Sequence, residues 1–143
     1  MANDLDFLAR RLNQIASTVE RRAPMVVKHI ATAMAPVLVY ATPVDTSRAR
    51  ANWQAGIGIV PQSVLFSEPD KPPSADYGGR AAVSAILGTV ASYPGGSYLA
   101  IANNVPYIQR LNRGWSAQAP AAFVQQSVAV GIRALRRFRI LGP

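Results

Sequence analysis

Leu5, Leu8, Leu12, Ile15 and Val19 recur at alternating three- and four-residue steps, which lays one apolar stripe along an α-helix. Asn3 or Asp4 is suited to cap its start, and acids in a first turn suit the helix dipole. The stripe continues through Ala23, Val26, Ile30, Met34 and Val37. Pro24 and Pro36 each remove a backbone donor and crowd the preceding turn, so each should bend or split the helix. Unbroken periodicity across Pro24 favours one kinked helix over residues 4–40 above a two-helix hairpin. Such a helix is too long for one small core, and part of it is expected to pack on a neighbouring subunit. Thr42-Pro43 ends it, because the residue before proline is pushed towards extended backbone.

A different period follows. In Asn52–Val60, Trp53, Ala55, Ile57 and Ile59 alternate with Asn52, Gln54, Gly56 and Gly58, which is the period of a strand. Pro61-Gln-Ser63 breaks it, and Val64-Leu-Phe66 is a second short strand candidate. Residues 67–79, SEPDKPPSADYGG, form a Pro/Gly-rich arm suited to ordering on assembly. Its Gly78-Gly79 lacks the surrounding pattern of a phosphate loop. Arg80–Val90 is helical, with Val83, Ile86, Leu87 and Val90 on one side. Pro94-Gly-Gly then turns the chain into Tyr98–Ile101, a strand expected to pair with the Trp53 strand.

The stretch from Tyr98 to Val124 is the most heavily punctuated. Asn103-Asn104 stops the strand, and Asn104 with Pro106 is a plausible helix start. Tyr107, Ile108 and Leu111 give that short helix an apolar side, and Gly114 suits its left-handed end. After the loop Trp115–Ala119, Pro120 restarts a helix with Val124, Val128, Gly131, Leu135 and Phe138 on one stripe. Arg133, Arg136 and Arg137 gather on another face. The pattern as a whole predicts an α+β fold: a long kinked N-terminal helix and a C-terminal helix packed on a small, mostly antiparallel sheet.

Two blocks carry a resemblance. Thr42-Pro-Val-Asp-Thr-Ser-Arg-Ala-Arg-Ala-Asn-Trp53 is the first. The second comprises Asn103-Asn-Val-Pro-Tyr107, Arg110-Leu-Asn-Arg-Gly-Trp-Ser116 and Gln118-Ala-Pro-Ala-Ala-Phe-Val124. In this order they resemble the neck or tail-component family of long-tailed double-stranded DNA phages, whose members are also called head–tail connector or tail-completion proteins. The family usually has Gly where this chain has Ser47 and often a Glu near Asn112. The resemblance implies a virion structural protein, assembled in the host cytoplasm, that forms or joins a ring around the DNA channel between portal or adaptor and tail. It further implies a homo-oligomer of six- or twelve-fold symmetry, other neck and tail proteins as partners, and genomic DNA passing non-specifically through the lumen.

The 143 residues fit a single domain, 1–143, with a real but modest core. Hydrophobic residues make up 50% of the chain, which argues against intrinsic disorder, and the absence of cysteine excludes disulfides and thiol chemistry. The N-terminus lacks the order of a signal peptide, and no uninterrupted apolar run approaches the ~20 residues of a membrane span, so a soluble protein with no membrane partner is expected. The net charge of +8 is unevenly placed: all seven acids lie at or before Asp76, and seven arginines follow Tyr77 with no acid among them. Such a half-chain attracts polyanions or acidic protein surfaces, although a solvated helix face has the same composition.

Catalytic chemistry is missing from the pattern. One His, no Cys and scattered acids make no metal set of ordinary spacing. The carboxylates lie in terminal, turn and loop contexts, and no Ser sits in a nucleophile elbow. The expectation is therefore no enzyme, no cofactor and no metal. Subunit contacts are expected at Leu5, Leu8, Leu12, Ile15 and Val19 and at Pro72, Pro73 and Tyr77. Trp53, Tyr107, Leu111 and Trp115 should lie together in or near the core and link the two blocks. Arg133, Arg136, Arg137 and Arg139 should face DNA or an acidic partner. The alternative function is a basic nucleic-acid-binding module that contacts phosphates non-specifically, although no reader motif is present.

Overall fold

A computed structural model of the chain describes residues 2–44, 47–65, 76–115 and 121–138. The elements in order are α1 (Ala2–Ala41), α2 (Ser47–Ala51), β1 (Gln54–Ile57), α3 (Gly79–Ala91), β2 (Leu99–Ala102), α4 (Ile108–Asn112) and α5 (Phe123–Ala134). A 3-10 turn, Leu135–Arg137, closes α5. This is the α+β arrangement that the hydrophobic pattern predicts, with a long N-terminal helix, a C-terminal helix and a small antiparallel sheet.

The core is built on the second half of α1. Ala31, Ala35, Leu38 and Val39 meet Trp53, Ile86 and Val90 of the sheet side and α3, and Phe123 from the start of α5. Small residues on α1 let both α3 and α5 approach it closely. At the α5 crossing, a Cβ on Gly131 would stand 2.8 Å from Ile30 Cγ2 and 3.1 Å from the Ile30 carbonyl oxygen. The sheet joins strands far apart in the chain, Gln54 opposite Ala102 and Ile57 opposite Leu99. It is shorter than the alternation of residues 52–60 predicts. Gly58 takes a left-handed φ of 68° and its N–H donates to the Tyr98 carbonyl at 2.8 Å, which turns the chain out of the ladder. Val64 and Leu65 form no strand; the Leu65 N–H is taken by Asn52 Oδ1 at 2.6 Å.

Helix α1 runs through Pro24 and Pro36 as one element, not as a hairpin. Proline at position 24 leaves the Glu20 carbonyl without its helical donor. That site is where the domain ends: the Pro94-Gly-Gly turn sits against the Pro24 ring, and any side chain at Gly95 (φ 88°) would strike it. The other end of α1 is held by the first resembling block. Arg50 Nη2 donates to the carbonyls of Tyr40 (3.0 Å) and Thr42 (3.2 Å), placing a cation at a helix C-terminus that has none in its own last turn. Trp53 Nε1 donates to Thr42 Oγ1 at 2.8 Å, and that hydroxyl donates to the Leu38 carbonyl.

The second block docks on the first. Asn103 Nδ2 donates to the Ala49 carbonyl at 2.7 Å, and the Arg48 guanidinium carbon lies 5.9 Å from the centre of the Tyr107 ring. Asn104 does not cap the following helix as its position predicts. Its amide donates instead to the carbonyls of Pro61 and Ser63, while Tyr107 occupies the cap of α4 without a side-chain bond. The cap of α5 also comes from elsewhere: Asn112 Oδ1 accepts from the Val124 N–H at 3.0 Å, and the Asn112 carbonyl from the Ala122 N–H.

Candidate assembly surface

The first half of α1 is an arm. Forty helical residues make a rod of about 60 Å, and α3 and α5 cover only its second half. Every side chain from Asp4 to Ser17 is exposed. One exposed face carries Leu5 (69% exposed), Leu8, Leu12, Ile15 and Val19, and Phe7 is exposed on another. Bulky apolar side chains in a continuous row exceed the scattered singles normal on a protein surface. By length and composition alone, Asp4–Ala41 is also long and apolar enough to cross a membrane. Its apolar positions are spread around polar and charged ones such as Arg10, Arg11 and Lys28.

Further along α1 lies an apolar cleft of about 310 Å³. Val27, Ile30 and Met34 of α1 form one wall, Leu99 and Ile101 of β2 the floor, and Val124 and Val128 of α5 the other wall. Among the described residues the sheet has two strands, and this apolar face between α1 and α5 is open. Val128 and the neighbouring Ile132 remain exposed on its α5 rim.

The four residues expected to link the blocks divide. Trp53 is buried, Leu111 packs partly buried against the core, and Tyr107 is half-buried under Arg48. Trp115 is a correction: it is 73% exposed and its ring lies 5.5 Å from the Arg110 guanidinium carbon. The left-handed Gly114 (φ 92°) turns the chain away from the core just before it. Tyr77 is half-buried, its ring 6.0 Å from the Arg50 guanidinium carbon, while Pro72 and Pro73 lie outside the described residues.

Arg133 and Arg136 are exposed on the last turns of α5 and the segment after it. Arg139 and the Arg137 side chain lie outside the described residues. Arg48 and Arg50, by contrast, are structural, half-buried against Tyr107 and the end of α1. His29 is structural as well. Its Nε2 stands 3.0 Å from the Ala134 carbonyl, a contact in which the ring must donate, and its ring packs on Phe138 at 5.5 Å. Among the described residues no cluster of His, Cys, Asp or Glu is placed to hold a metal ion.

Sequence patterning found the long helix but neither which half of it is exposed nor the cleft. Val124 and Val128 were legible as a stripe, yet nothing in local spacing announces that they line an open face. Comparison with protein-family models, curated proteins and solved structures finds no match to any of the three.

Proposed function

We propose that the chain is a structural subunit of a phage head–tail junction, acting by self-assembly into a ring around the DNA channel. The observation that carries this reading is the helical arm, whose apolar row from Leu5 to Val19 is exposed on its own domain. A ring needs one patch to meet a different patch on the next copy, and an arm distinct from the body supplies such a pair. The two resembling blocks add the phage role. They pack on each other and on the C-terminal end of α1, so the part of the chain that carries the resemblance anchors α1 at the end opposite the arm. Within the ring, Arg133 and Arg136 serve as sparse contacts to phosphates or to an acidic neighbouring ring, blind to sequence because the genome slides past them.

A nucleic-acid-binding module is the second reading, favoured by the same exposed arginines and by the Arg110–Trp115 pair, a cation beside an exposed aromatic face. Electron microscopy and sedimentation of the full-length protein across a concentration range separate the two. Closed rings with an open lumen, and little affinity of the monomer for short duplex DNA, are expected. A protein that stays monomeric and binds duplex DNA with a steep salt dependence overturns the ring reading.

A further inference from the structure

We infer that the arm of one copy seats in the apolar cleft of the next, parallel to its α1, with Leu5, Leu8 and Leu12 opposite Val27, Ile30 and Met34. The proposal rests on the self-assembly reading and specifies which surfaces meet. Arm and cleft share one continuous helix, and α1 contains no break that would let its first half reverse direction. The arm therefore cannot reach the cleft of its own chain; a second copy can. The spacing of Leu5, Leu8 and Leu12 repeats that of Val27, Ile30 and Met34, so an amphipathic helix laid in the groove presents its row to the whole wall.

Spacing alone allows either direction, and charge decides between them. Laid parallel, the arm brings Asp4 and Asp6 beside the end of α5, where Arg133 and Arg136 stand exposed. Contacts on the host fix that end: Gly131 crosses α1 at Ile30, and Ala134 accepts from His29. Laid antiparallel, the arm brings Arg10 and Arg11 to the same place, beside Lys28, Arg133 and Arg136, which like-charge repulsion opposes. The parallel seat is a head-to-tail contact, each copy giving its arm forward and receiving one behind, and it closes into a ring when the rotation per step divides a full turn.

The absence of cysteine makes the seat directly testable. Full-length Leu12→Cys and Met34→Cys proteins, mixed and oxidised, should give a cross-linked dimer that neither gives alone. Separately, Leu8→Glu and Val128→Glu should each weaken self-association by about thirty-fold or more, the loss expected of a central contact. A mixture of these two should form a one-to-one dimer and nothing larger, because one intact arm meets one intact cleft. Three results overturn the proposal: oligomers that persist with cross-links between two Leu12→Cys copies, which is arm-to-arm pairing; assembly indifferent to Val128→Glu; or an arm that binds lipid vesicles in place of a second copy. The first two leave the ring reading standing, whereas a chain monomeric at every concentration removes both.

Discussion

Arg50 shows how much one side chain decides. Its guanidinium reaches the carbonyls of Tyr40, Thr42 and Asp76 and lies 5.4 Å from the Tyr40 ring centre, so it ends α1 and fixes the turn before α3. A planar fork with several donors is needed, since one ammonium cannot address three carbonyls in these directions. Arg50→Lys is expected to lower stability by about 1–3 kcal/mol, because charge-assisted bonds to half-buried carbonyls are lost. Chemical denaturation of the two proteins checks this; a change within about 0.5 kcal/mol shows the fork to be dispensable. The same residue illustrates what the sequence leaves open. Arg48 and Arg50 differ little in pattern from Arg133 and Arg136, and only their packing against Tyr107 and Tyr40 separates structural cations from exposed ones.

At the scale of elements, the α1–α5 crossing depends on Gly131. A methyl group there meets Ile30 Cγ2 and its carbonyl oxygen, both on a helix already wedged against α3. Ala is ordinarily the better helix former by about 1 kcal/mol. The contact should reverse that preference. Gly131→Ala is expected to destabilise the protein by roughly 1–3 kcal/mol, as overpacking does, and Gly131→Val by more. Thermal unfolding measures both; a stabilised Gly131→Ala would mean that α5 slides freely along α1. Val124 and Val128 line the cleft from this helix, so a displaced α5 should also weaken self-association.

At the scale of the molecule, the domain and the arm separate at Pro24. The core residues all lie from Ala31 onward, and the turn at Gly95 packs on the Pro24 ring. Removing residues 2–20 should leave the cooperative unfolding transition within about 1 kcal/mol of the parent, since exposed side chains contribute little to stability. The same truncation should abolish self-assembly. A large loss of stability on truncation would show that the arm is part of the fold; assembly that survives it would place the interface elsewhere. The charge asymmetry also belongs to this scale. Seven acids cannot answer fifteen basic residues, so the chain as a whole carries a positive field into its surroundings.

The sequence by itself determined the periodic elements. The stripe from Leu5 onward and the alternation around Trp53 each depend on local spacing; the long helix and Gly79–Ala91 formed where that spacing placed them, and the strand formed over Gln54–Ile57, short of the predicted 52–60 because Gly58 turns the chain out of the ladder. The pairing of the Trp53 strand with the strand after Pro94-Gly-Gly was legible for the same reason, because each segment offers one apolar face and the fold contains no other strand among the described residues. Tertiary structure decided what local spacing does not encode. Which half of a uniformly striped helix is covered depends on where α3 and α5 dock, and a stripe looks the same whether its partner lies in its own chain or in another. The caps went to distant donors and acceptors, Asn104 to Pro61 and Ser63, and Asn112 to Val124, because a side-chain amide binds whichever backbone group folding brings nearest. Trp115 faces out because Gly114 turns the backbone before it, and the cleft lies where α1, β2 and α5 meet, a junction of segments distant in the chain that no local spacing encodes.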